Sequence, residues 1–352
     1  MNYCFQGDES SSKEEVTDNL CKELQTTLSN TKKKIDQYPS QWEKVKKNIH
    51  DYEYVYTSSY YRKNVTSFSP ISRSYFKLKE ILVDYQIQVK NQMITCLAEA
   101  PGGFIQCLLE TYPNIQINGI TLVSQDKKIP FWNKQLLNHN QITFHTGIKN
   151  NGDLYDLQNV LSMINKIGKN SCSLITGDGG FDNSGDYNNQ EMNSYQLLFS
   201  EIFMALTLQS EKGTFICKFF DIFLKETISL LYLLYLSYDS VIIHKPHMSR
   251  LSNSEKYIIC LGFKGYDKDI VNLMMHHFGT NDFSFDISKS FIKEIYEFNE
   301  KYTQEQILSI QKGINIIKTN QIDHNPSSKQ IKKSLEWCHK YNVPLNQDCF
   351  YI

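Results

Sequence analysis

The chain of 352 residues is 41% hydrophobic and 21% charged, with 37 basic and 38 acidic side chains and a formal net charge of −1. This is the profile of a soluble globular protein able to bury a sizeable core, as one large domain with extensions or two small ones. The balanced charge excludes RNA binding through net attraction, so any nucleic-acid site has to be a local basic patch. The cysteines, at Cys4, Cys21, Cys96, Cys107, Cys172, Cys217, Cys260, Cys338 and Cys349, show no C-x-x-C spacing. That removes a zinc ribbon or redox motif and points to buried thiols in a reducing compartment; no metal is expected. The N-terminus is polar and acidic, unlike a secretory signal, and the longest apolar run, Ile228 to Tyr238, is too short to span a bilayer. An intracellular, soluble protein that does not enter membranes is expected.

Residues 1–12 are polar and Ser-rich, and are expected to be disordered. From Lys13 to Tyr54, Leu20, Leu24, Leu28 and Ile35 have helical spacing that breaks near Pro39, and a second helix carries Trp42, Val45 and Ile49 on one face. The basic groups Lys32–Lys34 and Lys44, Lys46 and Lys47 read as solvated helix faces rather than an RNA site. The segment SRSYFKLKEI (72–81) starts an amphipathic helix. Strand-like runs follow at 93–100, 117–122, 142–146, 171–176, 214–220, 241–245 and 257–263, with helical patterns at Phe104–Thr111, Asp156–Ile167, Glu191–Gln209 and Ile222–Ser237. This alternation predicts a mostly parallel sheet with helices on both faces. The last two runs are separated by about a dozen residues with Pro246 and no helix, which predicts an antiparallel last strand. Helical periodicity resumes after Asp267, breaks over NQIDHNPSSK and returns around Gln330–Tyr341. The expected units are a helical N-terminal extension (1–60), an α/β domain (61–266) and a helical C-terminal extension (267–352).

Polar residues interrupt these runs at a few places. AEAPGGF (98–104) ends the first strand of the alternating region and opens a helix. Its glycines permit close backbone approach, and the helix N-terminus offers free N–H groups, as nucleoside cofactors require. Asp178 follows the fourth strand in TGDGGFD, Lys218 lies inside FICKFF, Glu255 precedes the last strand in SRLSNSEKY, and Arg73 and Lys77 lie on the early helix. Each has a bland reading: Lys218 snorkels at a sheet edge, Asp178 caps a turn, Glu255 is solvated. Together they fall at the carboxyl ends of neighbouring parallel strands, where open α/β sheets bind ligands.

These residues resemble the FtsJ-type ribose 2′-O-methyltransferases, and within them the Adrift-type cap methyltransferases and FtsJ-like proteins of large DNA viruses. The resemblance covers residues 70–264. It implies a Rossmann-like methyltransferase sheet, S-adenosyl-L-methionine as cofactor, and a Lys–Asp–Lys–Glu tetrad at Lys77, Asp178, Lys218 and Glu255. It further implies a cofactor site at Glu99, Pro101, Gly102, Gly103, Phe104 and Asp178, with Asp153 in NGDL as the contact to the cofactor nucleoside and Asp156 as the alternative. Arg73 and Arg250 are the implied RNA contacts, Arg250 within the family-like pattern of Lys245, Pro246, Ser249 and Arg250. Cys96 and Ala98 stand where bacterial members have Asp and Gly; Glu99 and the D-G-G-F-D…N-Q-E (189–191) pattern match the cap-enzyme branch.

The implied reaction is methylation of a ribose in the first or second nucleotide of capped mRNA. Lys218 can act as base only when neutral; Lys77 pushes its pKa down and Asp178 pulls it up, so the sign is open. A side chain at Gly102 or Gly103 is expected to intrude on cofactor space, so that Gly103→Val loses the cofactor and keeps the fold. The alternatives are a ribosomal RNA methyltransferase, a nicotinamide-dependent dehydrogenase, disfavoured by P-G-G in place of G-x-G-x-x-G, and a silent RNA-binding subunit. A protein partner through the helical extensions, and a cytoplasmic or, if viral, virion location, complete the expectations.

Overall fold

The structure is a computed structural model and describes residues 2–6, 11–17, 19–57, 60–180, 188–323 and 325–352. The strands are β1 (Asn2–Cys4), β2 (Lys13–Glu14), β3 (Met93–Leu97), β4 (Gln116–Ile120), β5 (Ile142–His145), β6 (Cys172–Gly177), β7 (Gln209–Phe219), β8 (Tyr238–His244), β9 (Lys256–Phe263) and β10 (Ile287–Ser288). Each apolar run of the alternating region forms one of the strands β3 to β9. They join β1 in an eight-stranded sheet of order β1-β8-β9-β7-β6-β3-β4-β5. Strands β3 to β7 pair in parallel; β9 lies antiparallel between β7 and β8, as the missing helix before it predicted.

Side-chain alternation divides the core between the two faces. Leu174, Ile216 and Ile259 face the helices Ser74–Asp84, Gly103–Thr111 and Ser328–Lys340. Their neighbours Ile175, Cys217 and Ile258 face the helices Leu157–Ile167, Gln190–Leu208, Lys225–Ser237 and Lys289–Lys318. Strand β6 is buried at every position, hence its uninterrupted apolar character. Among the described residues no helix is long and apolar enough to cross a membrane.

The terminal segments pack onto this core. Helices Lys22–Lys33 and Pro39–Asn48 lie against Lys289–Lys318, where Trp42 and Val45 meet Ile310, Ile314 and Ile317. Pro39 starts the second helix rather than merely ending the first, since a proline in the first turn forfeits no helical hydrogen bond. Trp337 of the last helix stacks edge-on against Phe76 and donates to the buried Glu80 carboxylate at 3.1 Å.

The expected disorder of residues 1–12 is corrected for the described part of that stretch. Asn2–Cys4 pairs with β8 as the edge strand, the Phe5 amide donates to Val241 O, and the Phe5 ring is buried 4.9 Å from Phe291. Lys13–Glu14 pairs with β10. Three residues are too few to show periodicity, so only the tertiary partner reveals this strand. Phe5→Ala is expected to destabilise the fold by about 3 kcal/mol, as for a truncated buried ring. An unchanged urea midpoint would return this segment to disorder.

Candidate active site

Strands β3, β6 and β7 end on one edge of the sheet, and β9, running the other way, begins there. Asp178, Lys218 and Glu255 therefore converge, and Lys77 reaches them from the helix Ser74–Asp84, which packs on Gly103–Thr111. The structure joins the four residues as two ion pairs. Lys77 Nζ lies 2.7 and 2.8 Å from the two Glu255 oxygens. Lys218 Nζ donates to Asp178 O at 2.7 Å and lies 3.3 Å from Asp178 Oδ1. Glu255 also accepts from the Ser249 hydroxyl, and Asp178 from the Tyr257 hydroxyl, each at 2.7 Å. None of the four is the solvated or capping group of the bland readings; their side chains are 11 to 16% exposed.

The charges settle the open sign at Lys218. Burial works against its ammonium, but Asp178, Glu255 and Glu201 outweigh burial and raise its pKa. Burial likewise raises the Glu255 carboxyl, and Lys77 and Lys218 more than offset this, holding it at about 2. Gly180 makes the lysine's position possible, because a Cβ there would lie 2.9 Å from Lys218 Nζ. Phe181 and Asp182 of the D-G-G-F-D motif lie outside the described residues.

The loop between β3 and the helix Gly103–Thr111 presents Glu99, Pro101, Gly102 and Gly103, with a cis bond at Ala100–Pro101. Glu99 is 3% exposed, with the Thr176 hydroxyl and the Cys96 thiol as its polar neighbours. Burial pushes its carboxyl well above the carboxylate range, and the Asp178 charge adds to this. Gly102 has φ +109°, which L side chains disfavour. The reason expected for Gly103 is corrected. A Cβ there would meet Ser72 Oγ at 2.2 Å, Ser74 Oγ at 2.4 Å and the Tyr75 amide nitrogen at 3.1 Å, so this glycine admits the Lys77 helix. Phe104 is fully buried beside the Tyr257 ring. Asp156 caps the helix Leu157–Ile167 and pairs with Lys149, whereas among the described residues the Asp153 carboxylate accepts from the Tyr155 amide alone.

Arg73 and Arg250 converge on one carboxylate, Glu53, which sequence reasoning missed. Arg250 donates to both Glu53 oxygens at 3.0 and 2.9 Å, and Arg73 lies 3.5 Å away. Also missed was Glu201, in the helix Gln190–Leu208, which accepts from the Cys217 thiol at 3.2 Å; burial lifts its pKa to about 8. Glu191 of the N-Q-E pattern is buried and accepts the Phe223 and Leu224 amides, so it caps the start of the helix Lys225–Ser237. Lys32 is corrected from solvated to buried: it pairs with Asp221 at 3.0 Å and donates to Ser254 at 2.9 Å, whereas Lys33, Lys34, Lys44 and Lys47 are exposed. A run of like residues conceals which of them turns inward. Among the described residues, Glu80, Asp84 and His244 place possible metal-ligand atoms within 4.8 Å. Their carboxylates already accept from the His247 amide, Trp337, Tyr341 and Lys340.

Two outcomes follow from this geometry. Gly103→Val is expected to lower the melting temperature measured by circular dichroism, because the Lys77 helix must move; an unperturbed melt would restore the ligand-space explanation. Glu201 ionises above about 4.5 in the unfolded chain but above about 8 when folded, so it withdraws stability as pH rises through that interval. Glu201→Gln is therefore expected to raise the urea midpoint at pH 8 and to lose this advantage toward pH 4.5. An equal effect at both pH values would contradict the raised pKa.

Residues 70–263 match the model of the FtsJ-like methyltransferase family. The chain is 33% identical over 238 residues to a Caenorhabditis briggsae protein named cap-specific mRNA (nucleoside-2′-O-)-methyltransferase 1A, covering 60% of this chain and 27% of that one. It is 32% identical over 238 residues to a second protein of that organism, named an inactive cap-specific mRNA (nucleoside-2′-O-)-methyltransferase 1B, covering 60% and 28%. A solved ribosomal RNA methyltransferase from Plasmodium falciparum aligns with 55% of this chain and 98% of its own, at 23% identity and a TM-score of 0.42. The chain thus spans about a quarter of the length of the curated relatives it matches. With the family match covering more than half of its residues and coinciding with the sheet that carries the site, the chain belongs to the FtsJ-like methyltransferase family.

Proposed function

We propose that this chain is an S-adenosyl-L-methionine-dependent RNA ribose 2′-O-methyltransferase acting on the first or second transcribed nucleotide of capped mRNA. The observation that carries the reading is the assembly of Lys77, Asp178, Lys218 and Glu255 into two buried ion pairs beside the glycine loop. The residues present fit the cofactor. The buried Glu99 carboxyl is suited to hydroxyl or amino donors, the N–H groups opening the helix Gly103–Thr111 to a carboxylate, and Asp153 to a nucleoside. The cofactor would supply an electrophilic methyl group on its sulfonium centre.

The chain's own task is to present a ribose hydroxyl in line with that methyl. With its pKa raised, Lys218 is an ammonium near neutral pH and donates to the hydroxyl oxygen, orienting its lone pair. Asp178 holds Lys218 and is itself held by Tyr257; Glu255 and Ser249 do the same for Lys77. A proton leaving the hydroxyl would pass toward the carboxylates that hold the two lysines, Asp178 and Glu255, or to solvent. This revises the neutral-base role expected from the sequence while keeping Lys218 at the centre.

The second reading, a silent subunit, draws on the relative named inactive, to which the chain is nearly as similar. One experiment separates them. Labelled cofactor is incubated with short RNAs bearing a triphosphate, an N7-methylguanosine cap, or that cap with the first ribose already methylated. Cap-dependent methylation within the first two nucleotides is expected. Equal activity on uncapped RNA would favour a ribosomal or general substrate; cofactor binding without activity on any RNA would favour the silent subunit. Lys218→Ala is expected to lower turnover ~10²–10³-fold, the scale of one lost electrostatic donor, with calorimetric cofactor affinity unchanged. Near-parental turnover would remove Lys218 from the chemistry.

A further inference from the structure

Glu53 lies in a 3₁₀ turn, Glu53–Val55, before the residues matched by the family, and it is fully buried. A buried carboxylate is costly unless paired, and one guanidinium suffices to pair it. Arg250 meets that need alone, with Nε at 3.2 Å from Oε2 and Nη2 reaching both oxygens. The Thr57 hydroxyl adds a further donor to Oε1 at 3.3 Å. Arg73 nevertheless converges on the same group, its Nη1 bonded to the Tyr56 carbonyl and 3.5 Å from Glu53 Oε1. Two cations around one anion leave one positive charge in excess.

That excess is accessible and fixed in direction. The Arg73 and Arg250 side chains are 27% and 24% exposed, although Glu53 itself is sealed from solvent. Each guanidinium has five N–H donors, and the described contacts use only part of each fork. The field is felt nearby: burial holds the neighbouring His50 well below its usual pKa, with Arg73, Arg250 and Lys245 lowering it further. Both arginines are also tied to the tetrad through the chain. Arg73 immediately precedes the helix that carries Lys77, and Arg250 follows Ser249, which donates to Glu255.

We infer that Glu53 is a positioning residue that aligns Arg73 and Arg250 as one phosphate-binding pair beside the Lys77–Glu255 ion pair. The ligand is a phosphodiester of the RNA whose ribose is methylated, so the inference rests on the proposed function. Guanidinium forks match phosphate oxygens in pairs, and a shared buried carboxylate orients two such forks without either having to be ordered on binding. The segment around residues 50–57 thereby belongs to the substrate site although the family match begins later. A purely structural triad would affect stability alone, since ions of this kind can be replaced by packed apolar groups without loss of fold.

The test uses the full chain and a capped oligonucleotide, with RNA affinity read by fluorescence anisotropy over a range of salt and methylation read in parallel. Glu53→Gln is expected to raise both Kd and KM for RNA about tenfold, the scale of one lost charge-assisted contact, with calorimetric cofactor affinity unchanged. Arg250→Lys keeps the charge but not the fork, so it is expected to weaken RNA binding as well. Arg250→Ala should in addition flatten the dependence of log Kd on log salt by about one unit. A folded Glu53→Gln with parental RNA affinity would overturn the inference; should that variant not fold, parental affinity in Arg250→Lys would do so. A parent that methylates no RNA yet binds it through Glu53 would sink the proposed reaction and keep the inference. A parent that binds no RNA would remove both.

Discussion

An ion moved into a protein interior costs several kcal/mol unless an opposite charge and hydrogen bonds meet it there. The carboxyl edge of this sheet is crowded with such ions. Lys77 with Glu255, Lys218 with Asp178, Lys32 with Asp221, and Arg73 and Arg250 with Glu53 all have side chains less than a third exposed. Removing one partner leaves the other buried and uncompensated, so each pair depends on both of its members. The site is therefore rigid for the reason that it is costly: each charge tolerates only the geometry in which its partner reaches it.

Much of that constraint falls on one loop, residues 245–256, because Glu255 lies at its end, just before β9, and must meet Lys77 there. Lys245 Nζ donates to Asn253 O and Oδ1 and to Glu255 O, closing the loop on itself at 2.6 to 2.7 Å. From outside, Lys32 of the N-terminal helix holds Ser254, and Gln306 of the long C-terminal helix donates to Ser252 O and Ser254 Oγ. Asp221 completes the tie: burial raises its carboxyl, but Lys32 and Lys256 bring it down to about 2. The terminal segments thus contribute to the chemistry indirectly, by fixing the backbone from which Glu255 extends.

The division between what was legible in the sequence and what was not follows from the range of the interactions. Strands β3 to β9 and the helices between them were readable because burial imposes a period on consecutive residues. Lys218 and Asp178 were conspicuous because each breaks or ends an apolar run, and Glu255 because it precedes the last strand. Glu53, Glu201 and Lys32 gave no comparable signal. Each is an ordinary charged residue in a helical or turn-like stretch, and its importance lies in a partner 16 to 222 positions away. Gly103 shows a different failure: the need for a glycine was read correctly, but a local motif cannot distinguish space kept for a ligand from space kept for the Ser72–Tyr75 backbone and side chains.

The same bookkeeping of charge bears on how an FtsJ-like site of this kind can favour transfer. Glu99 and Glu201 lie close to Asp178, and all three ionised would repel one another strongly in so little solvent. Burial avoids this by raising the pKa of Glu99 and Glu201, whereas Lys77 and Lys218 hold the Glu255 carboxyl at about 2. Asp178 and Glu255 raise the Lys218 pKa against burial and hold it as an ammonium, and Glu255 also receives Lys77 at 2.7 Å. On the proposed reaction, the electrostatic work is done before substrate arrives: two oriented cations and two oriented anions await a hydroxyl whose proton departs as bonding to the methyl develops. Such preorganisation asks for little basicity from any one residue and for accurate placement of all four. Accurate placement is what the buttressed loop, the helix admitted by Gly103 and the Tyr257 hydroxyl provide.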